Sequence, residues 1–319
     1  MKEQLLKILY EHQGQPVSGE TLGERLGVSR SYIWKLTEQL KEEGVPLTSV
    51  PRKGYCLPQH HNDLFAFEIQ GFAKGDYAIT VLPETDSTNR VVKTLAEEGA
   101  PEGTAVFAKS QTAGYGRQGR AFFSPKGTGL YFSVLLRPEK GMADASKITV
   151  TAAVAVAQAV EEILGISLSI KWVNDLYYHN KKVCGILSQG AVDLEGGGLA
   201  YCVLGIGLNV FTPKGGFGSL SPIAGALLDE EPNGSLLARL GATVLDRFFA
   251  LYQQAEFAPC LEEYRSRSFL TGKEVTILRG ADRFAGKVLG IDDTGALLVE
   301  QKGKTLAFSS GEIALENYR

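Results

Sequence analysis

Residues 110–134 read SQTAGYGRQGRAFFSPKGTGLYFSV, and GYGRQG within them, Gly114 to Gly119, matches the Gly-x-Gly-x-x-Gly dinucleotide fingerprint letter for letter. That fingerprint works only where a strand enters and a helix leaves, so that a pyrophosphate rests on a helix N-terminus. The exit is wrong here. Pro125, Gly127 and Gly129 break any helix after Gly119, and LYFSVLLR beyond them is aromatic, β-branched and strand-like. The stretch therefore predicts a glycine-rich, arginine-bearing loop between two strands, against a nicotinamide dehydrogenase of the doubly wound type.

Working outward, strands are expected near 78–82, 104–109, 130–136, 168–172, 175–178, 182–189 and 200–206. Helices are expected near 88–98, near 145–164 with Asp144 opening it, and near 235–253. Strands and helices mix without a regular βαβ rhythm, which predicts an α+β domain with helices on one side of a mixed sheet. From about 270 the runs KEVTILRG, RFAGKVLGID, ALLVEQ and KTLAFSS alternate with turn signals and predict a small β-barrel.

The first 61 residues form a separate unit. Leu5, Leu6, Ile8 and Leu9 make one helical face, Ser18 can cap a second helix carrying Leu22 and Leu26, and Ser29 can cap a third carrying Ile33, Leu36 and Leu40. Gly27-Val28 supplies the turn of a helix-turn-helix. The third helix then turns Ser31, Trp34 and Lys35 away from its apolar face, with Arg30 at its first turn and Tyr32 a further DNA-contact candidate, and VPLTSVPRKGYCL reads as a two-stranded wing with Arg52 and Lys53 at its tip. With eight Lys/Arg against seven Asp/Glu the unit is weakly basic by count, so a small interaction domain fits too. Short second helix, glycine turn, exposed polar third helix and basic wing together point to DNA. The expected domains are 1–61 (winged helix-turn-helix), 62–76 (linker), 77–268 (catalytic domain) and 269–319 (small β-barrel).

A net charge of −3 over 319 residues excludes a general polyanion binder, and 44% hydrophobic with 22% charged residues is ordinary for a globular protein. Cys56, Cys184, Cys202 and Cys260 show no Cys-x-x-Cys pair, which predicts a reducing, cytoplasmic setting without disulfides or zinc. Neither a signal peptide nor a membrane span is expected. His12, His60 and His61 fall in the N-terminal unit or linker and His179 in a polar turn, leaving little for a Ser-His or Cys-His nucleophile. A Walker-type phosphate cradle is absent as well.

Three polar clusters remain in the central region. TDSTNRVV places Ser87, Thr88 and Asn89 at a helix start, which plain capping would also explain. The opening loop offers backbone N–H groups at Gly114, Gly116 and Gly119 beside the guanidinium forks of Arg117 and Arg120. IKWVNDLYYHNKKVCGIL crowds Lys171, Asn174, Asp175 and Lys182 into an apolar β segment, where charges need partners or a ligand, although a hairpin turn would account for Lys181 and Lys182. GIGLNV adds Asn209 at the end of a glycine-lined strand. Cations, one Asp and several amides suit nucleotidyl transfer, where positioning and charge neutralisation dominate, commonly with Mg²⁺.

At these clusters the sequence resembles the bifunctional biotin protein ligase and biotin operon repressor family. The resemblance runs through SGETLGERLGVSRSYIWKLTEQL, PRKGYCL, DSTN, QTAGYGRQGR, FFSP, GLYFSVLLRP, KWVNDLYY, KKVCGIL, GIGLNV and SSGEI, in order along nearly the whole chain. It implies a class II synthetase-like ligase domain and an SH3-like C-terminal barrel. The implied chemistry is activation of biotin by ATP to biotinyl-5′-AMP, then transfer to a lysine of a biotin carboxyl carrier protein.

The resemblance assigns Ser87, Thr88, Asn89, Gln111, Tyr115, Gly116, Arg117 and Lys182 to biotin. To the nucleotide and phosphates it assigns Arg120, Phe122, Asn174, Asp175 and Asn209, with Arg117, Arg120, Asp175 and Lys182 carrying the catalysis and Asp175 a metal or orienting carboxylate. It also implies that the adenylate favours a homodimer whose third helices and wings read operator DNA and repress biotin genes. A ligase whose N-terminal unit binds no DNA, and a transcription factor that binds but does not turn over its ligand, are the alternatives. Two positions depart from the family pattern. Tyr115 stands where the loop usually carries arginine, and Val173 where proline is common.

Overall fold

The computed structural model describes residues 1–42, 45–58, 63–138, 145–192, 199–230, 235–280 and 282–314. Asp144, expected to open the long central helix, lies outside the described residues, as do His60, His61 and the first residue of the expected linker.

Three helices, α1 (Lys2–Glu11), α2 (Gly19–Leu26) and α3 (Arg30–Glu42), precede a hairpin of β1 (Thr48–Val50) and β2 (Gly54–Cys56). Local chemistry sets each boundary. The Ser18 hydroxyl accepts the Thr21 N–H at 3.0 Å and the Ser29 hydroxyl accepts the Tyr32 N–H at 3.2 Å, satisfying first-turn amides that have no intrahelical partner. Gly27, at φ 67°, ends α2 in the left-handed region that is cheap only for glycine. Leu5, Leu9, Leu22, Ile33 and Leu40 fill a core of their own, and paired backbone bonds between Val17 and Tyr55 tie the wing to the helices.

The expected linker contains a helix, α4 (Ala66–Phe72). Phe65 joins the N-terminal core while Leu64 and Ile69 join the central one. Tyr10 meets Phe67 and Phe72 edge-on at 6.3 and 5.8 Å, and Lys109 pairs with Asp63 at 2.7 Å while lying over the Phe65 ring. The segment is a packed joint. Seven residues are too few to show a helical period, so its sequence looks merely loose.

The central sheet has seven strands in the order β3 (Ala78–Leu82), β4 (Thr104–Ala108), β5 (Gly129–Leu136), β9 (Leu199–Asn209), β8 (Lys181–Val192), β7 (Asp175–Tyr178) and β6 (Ser169–Lys171). β3 and β4 run parallel and every other neighbouring pair antiparallel, the expected mixed sheet. One face carries α6 (Ala145–Leu164), α7 (Leu236–Tyr252) and α8 (Ala258–Arg267). The other face is covered in part by α5 (Thr88–Glu97), whose Val92 and Ala96 pack on Val106, Leu135 and Val203. Helices are therefore not confined to one side, and β4 and β5 are buried along their whole length for that reason. α8 was not foreseen: APCLEEYRSR is largely polar, and only Cys260, Leu261 and Tyr264 turn inward.

The tail forms β10 (Glu274–Arg279), β11 (Asp282–Ile291), β12 (Leu297–Gln301), β13 (Lys304–Phe308) and β14 (Glu312–Ala314), an antiparallel sheet in which β14 returns to pair with β10. Its inner residues are continuous with the central core, and the Trp172 indole N–H donates to the Gly295 carbonyl at 3.0 Å across the junction. That junction brings β14 to the edge of the site described next. No described helix is long and apolar enough to cross a membrane.

Candidate active site

The loop between β4 and β5 folds on itself. Gly116 N–H donates to the Arg120 carbonyl and Phe122 N–H to the Gly114 carbonyl, both at 2.8 Å, so the loop is a small ladder with Arg117–Gly119 as a single 3-10 turn at its tip. After Arg120 the backbone is extended, and no helix leaves the glycines. Beneath the loop lies a cavity of about 610 Å³ lined by all thirteen residues that the family resemblance assigns to biotin and the nucleotide, from Ser87 to Asn209, though not by Gly114 or Gly119.

One end of the cavity is neutral. Ser87 stands at the start of α5 yet makes no capping bond with its side chain, so capping does not account for it. Gln111 Oε1 accepts the Thr88 N–H at 2.9 Å, and its amide nitrogen donates to Ser124 Oγ at 2.9 Å, which fixes the orientation of the carboxamide. Fully buried Ser133 on β5 places its hydroxyl 2.7 Å from Thr88 Oγ1 and 2.5 Å from Asn89 Oδ1. Asn89 in turn donates to Gln189 Oε1 on β8 at 2.9 Å. Leaving any of these buried groups unmatched would cost about 1–3 kcal/mol, so the network holds one geometry.

The floor is made by glycines. A Cβ on Gly205 would sit 2.1 Å from Asn89 Oδ1, and one on Gly207 would sit 2.5 Å from the Phe122 ring. Hydrogen there is what lets α5 and the loop approach the sheet. Phe122 thus lies over the β9 glycines, edge-on to Tyr131 at 6.4 Å.

The other end is charged. Lys182 Nζ and Asp175 Oδ1 are 2.6 Å apart, both half-buried or deeper. The two-residue turn His179-Asn180, with φ of 46° and 62°, reverses the chain so that β7 and β8 present these partners side by side. Arg117 reaches Asn174 Oδ1 at 3.4 Å, while the Asn174 amide is held by the Ile186 carbonyl at 2.8 Å. Arg120 makes a two-pronged pair with Glu312 of β14, one contact measuring 2.6 Å. Lys171 also lines the cavity, and burial pulls its ammonium below the usual lysine range. Asn209 holds the cavity's outer segment through the Gly225 carbonyl at 3.0 Å, and Lys181 binds the Ser221 and Pro222 carbonyls, a structural role.

Sequence reasoning missed three residues that shape this site. Ser133 could have been found as the one aliphatic hydroxyl in a largely apolar strand, and Glu312 sits in the SSGEI motif. Gln189 gives no signal in sequence. Four buried cysteines are free thiols, and burial raises Cys184 and lifts Cys202 and Cys260 to about 11, so none is a poised nucleophile. Among the described residues no group of three or more His, Cys, Asp or Glu could hold a metal ion.

A second surface lies on the N-terminal unit. Arg30, Ser31, Tyr32, Trp34 and Lys35 are all exposed on α3, Trp34 at 58%, and Arg52 and Lys53 are exposed at the wing tip.

Comparison with known proteins covers both surfaces. Residues 2–56 match the HTH domain, residues 81–209 the Biotin/lipoate A/B protein ligase family, and residues 270–315 the Biotin protein ligase C terminal domain. The bifunctional ligase/repressor BirA of Escherichia coli is 35% identical over 95% of this chain and 94% of its own. Its Bacillus subtilis counterpart is 32% identical over 99% and 98%. Among solved structures, a biotin protein ligase from Aquifex aeolicus in complex with biotin and ATP superposes with a TM-score of 0.62 at 28% identity, covering 74% of this chain and 97% of that one. With such identity sustained through all three parts, the chain belongs to the family of bifunctional biotin ligase/repressors.

Proposed function

We infer that this protein joins biotin to a lysine of a biotin carboxyl carrier protein in two steps and represses biotin genes when it holds the intermediate. The reading is carried by the division of the cavity: a neutral, hydrogen-bonded end beside a cationic end, with apolar floor between. Biotin has a polar ureido ring, an apolar chain and a carboxylate, and it matches that gradient from Asn89 toward Lys182. Full-length likeness to the ligase/repressors, helix-turn-helix included, supports both activities.

In the first step a biotin carboxylate oxygen attacks the α-phosphorus of ATP and pyrophosphate leaves, giving biotinyl-5′-AMP. Both reactants are anions, so repulsion is the obstacle. Lys182 neutralises the carboxylate, and Arg117, Arg120 and Lys171 offset phosphate charge in a partly dewatered site where such interactions are strong. Asp175 orients Lys182 in the free protein, and Asn174 orients Arg117. Magnesium enters as MgATP. Asp175 is the cavity carboxylate that would hold it beside the substrate phosphates, where it would offset phosphate charge; such a cation needs no all-protein cage. In the second step a carrier lysine attacks the biotinyl carbonyl, an amide forms and AMP leaves.

Ser87, Thr88, Asn89, Gln111, Gly116, Arg117 and Lys182 hold biotin in this reading. Arg120, Phe122, Asn174, Asp175 and Asn209 serve the nucleotide side. Repression uses a homodimer, with α3 in the major groove and Arg52 and Lys53 on the backbone. A cytoplasmic location follows from the need for ATP, carrier and DNA together. Incubation with biotin, MgATP and a carrier domain, read by mass, must add one biotinyl group. Gel shifts on palindromic biotin-operon promoter fragments must show binding that requires biotin and ATP. An unmodified carrier, or no biotin-dependent shift, would remove the corresponding half.

A further inference from the structure

Tyr115 occupies the loop position where a cationic contact to the intermediate is expected, yet its phenol is already engaged. The hydroxyl donates to Gln189 Oε1 at 3.0 Å, and the Arg90 guanidinium lies 5.3 Å from the ring centre. Arg90 is itself held by Asp86 at 2.6 Å. Gln189 Oε1 simultaneously accepts the Asn89 amide at 2.9 Å, and Gln189 does not line the cavity. One acceptor oxygen thus couples the entering arm of the loop to the asparagine at the neutral end.

From this we propose that Tyr115 is a positioning residue, latching the loop to α5 and β8 and setting Asn89 through Gln189, rather than a contact to phosphate. Its ring accepts the face of a cation, which an arginine at 115 could not do beside Arg90 without like-charge repulsion. The backbone favours the same arrangement. Tyr115 bridges to Ala121 across the loop ladder, so its side chain leaves the ladder on the Gln189 side while Arg117, at the tip, reaches Asn174. Residues 115 and 117 therefore act on opposite ends of the cavity. The proposal rests on the ligase reading above and specifies which end of the substrate residue 115 serves.

The test is biotin-dependent ATP–pyrophosphate exchange with wild type, Tyr115→Phe, Gln189→Ala, the double variant and Tyr115→Arg, with thermal melting as a folding control. One lost hydrogen bond predicts that Tyr115→Phe and Gln189→Ala each raise the biotin KM by about three- to tenfold. The MgATP KM stays within about twofold, and the double variant is no worse than the poorer single, the signature of a shared interaction. Tyr115→Arg raises the biotin KM too, and Arg90→Ala added to it restores part of the loss as the repulsion is removed. A change in the MgATP KM with the biotin KM untouched, or effects of Tyr115→Phe and Gln189→Ala that multiply, would overturn the latch while leaving ligase activity standing. A wild-type protein without biotin-dependent exchange would end the ligase reading and the proposal with it.

Discussion

The two ends of the cavity solve opposite problems. At the neutral end the partners are already in place: Gln111, Thr88, Ser133, Asn89 and Gln189 form a continuous network before any ligand arrives. At the charged end two cations are paired with protein carboxylates, Lys182 with Asp175 and Arg120 with Glu312, while Arg117 reaches an amide oxygen and burial depresses the Lys171 ammonium. A neutral network can be finished in advance because its hydrogen bonds need only geometry. Half-buried charge is costly without a partner, so Lys182 and Arg120 borrow anions from their own fold and must exchange them when phosphate enters. One end is preorganised and the other is poised.

Removing the central cation should break this scheme most severely. Lys182→Ala takes away the charge facing both reactants and leaves Asp175 without its cation, so adenylation should fall by about 10²–10³-fold or more. Pyrophosphate release measured at saturating biotin reads this directly. Activity near wild type would mean that another cation, Lys171 first among them, does the work assigned to Lys182.

At the neutral end, Ser133→Ala deletes a hydroxyl within 2.7 Å of both Thr88 and Asn89 without altering charge. An unmatched buried acceptor costs about 1–3 kcal/mol, which corresponds to a biotin KM higher by roughly five- to 150-fold with the MgATP KM unchanged. Equal rises in both constants would show that the two ends are one coupled site rather than two.

Arg117→Ala tests the poised end more gently. Its contact to Asn174 is long, at 3.4 Å, so the fold loses little and the effect falls on retention of the intermediate. Escape of biotinyl-5′-AMP should rise by about tenfold, the equivalent of one charge-assisted hydrogen bond. Bystander lysines in a mixed-protein incubation would then be biotinylated, and a labelling pattern identical to wild type would remove Arg117 from the retention of the intermediate.

The same division explains what could be read from the sequence. The N-terminal unit was legible almost residue by residue because its determinants are local: Ser18 and Ser29 cap within three residues, and Gly27 turns the chain alone. The glycine loop was legible through Pro125, which forbids the helix a dinucleotide site needs. All thirteen residues assigned through the family resemblance share one cavity, but their partners do not announce themselves. Ser133 is 44 residues from Asn89, Gln189 is 100 from Asn89, and Glu312 is 192 from Arg120. Such pairings exist only once the sheet order β5-β9-β8 and the return of β14 are fixed. α4 and α8 escaped notice for a related reason, since a short or polar helix is held by what it packs against rather than by its own period.

A carboxyl ruled by burial is seen at Glu68, on α4 in the joint between the N-terminal unit and the sheet. It is 1% exposed and meets the Ser235 hydroxyl at 3.3 Å, and burial pushes its pKa up to about 8. Asp175 and Glu312 meet their cations at hydrogen-bond distance, whereas at Glu68 burial outweighs the influence of Lys109 and favours the neutral acid. The sign follows from linkage. In the unfolded chain Glu68 ionises near its ordinary value, so the folded state loses stability as pH rises from about 4.5 toward 8, by up to about 1.4 kcal/mol per pH unit for this group. Glu68→Gln keeps the shape, accepts the same hydroxyl and cannot ionise. Its melting temperature should match wild type near pH 5 and exceed it by several degrees near pH 8, with the gap widening across that window. A constant difference at all pH values would mean that Glu68 is charged in the fold, and the joint would then belong with the poised end of the cavity rather than standing apart from it.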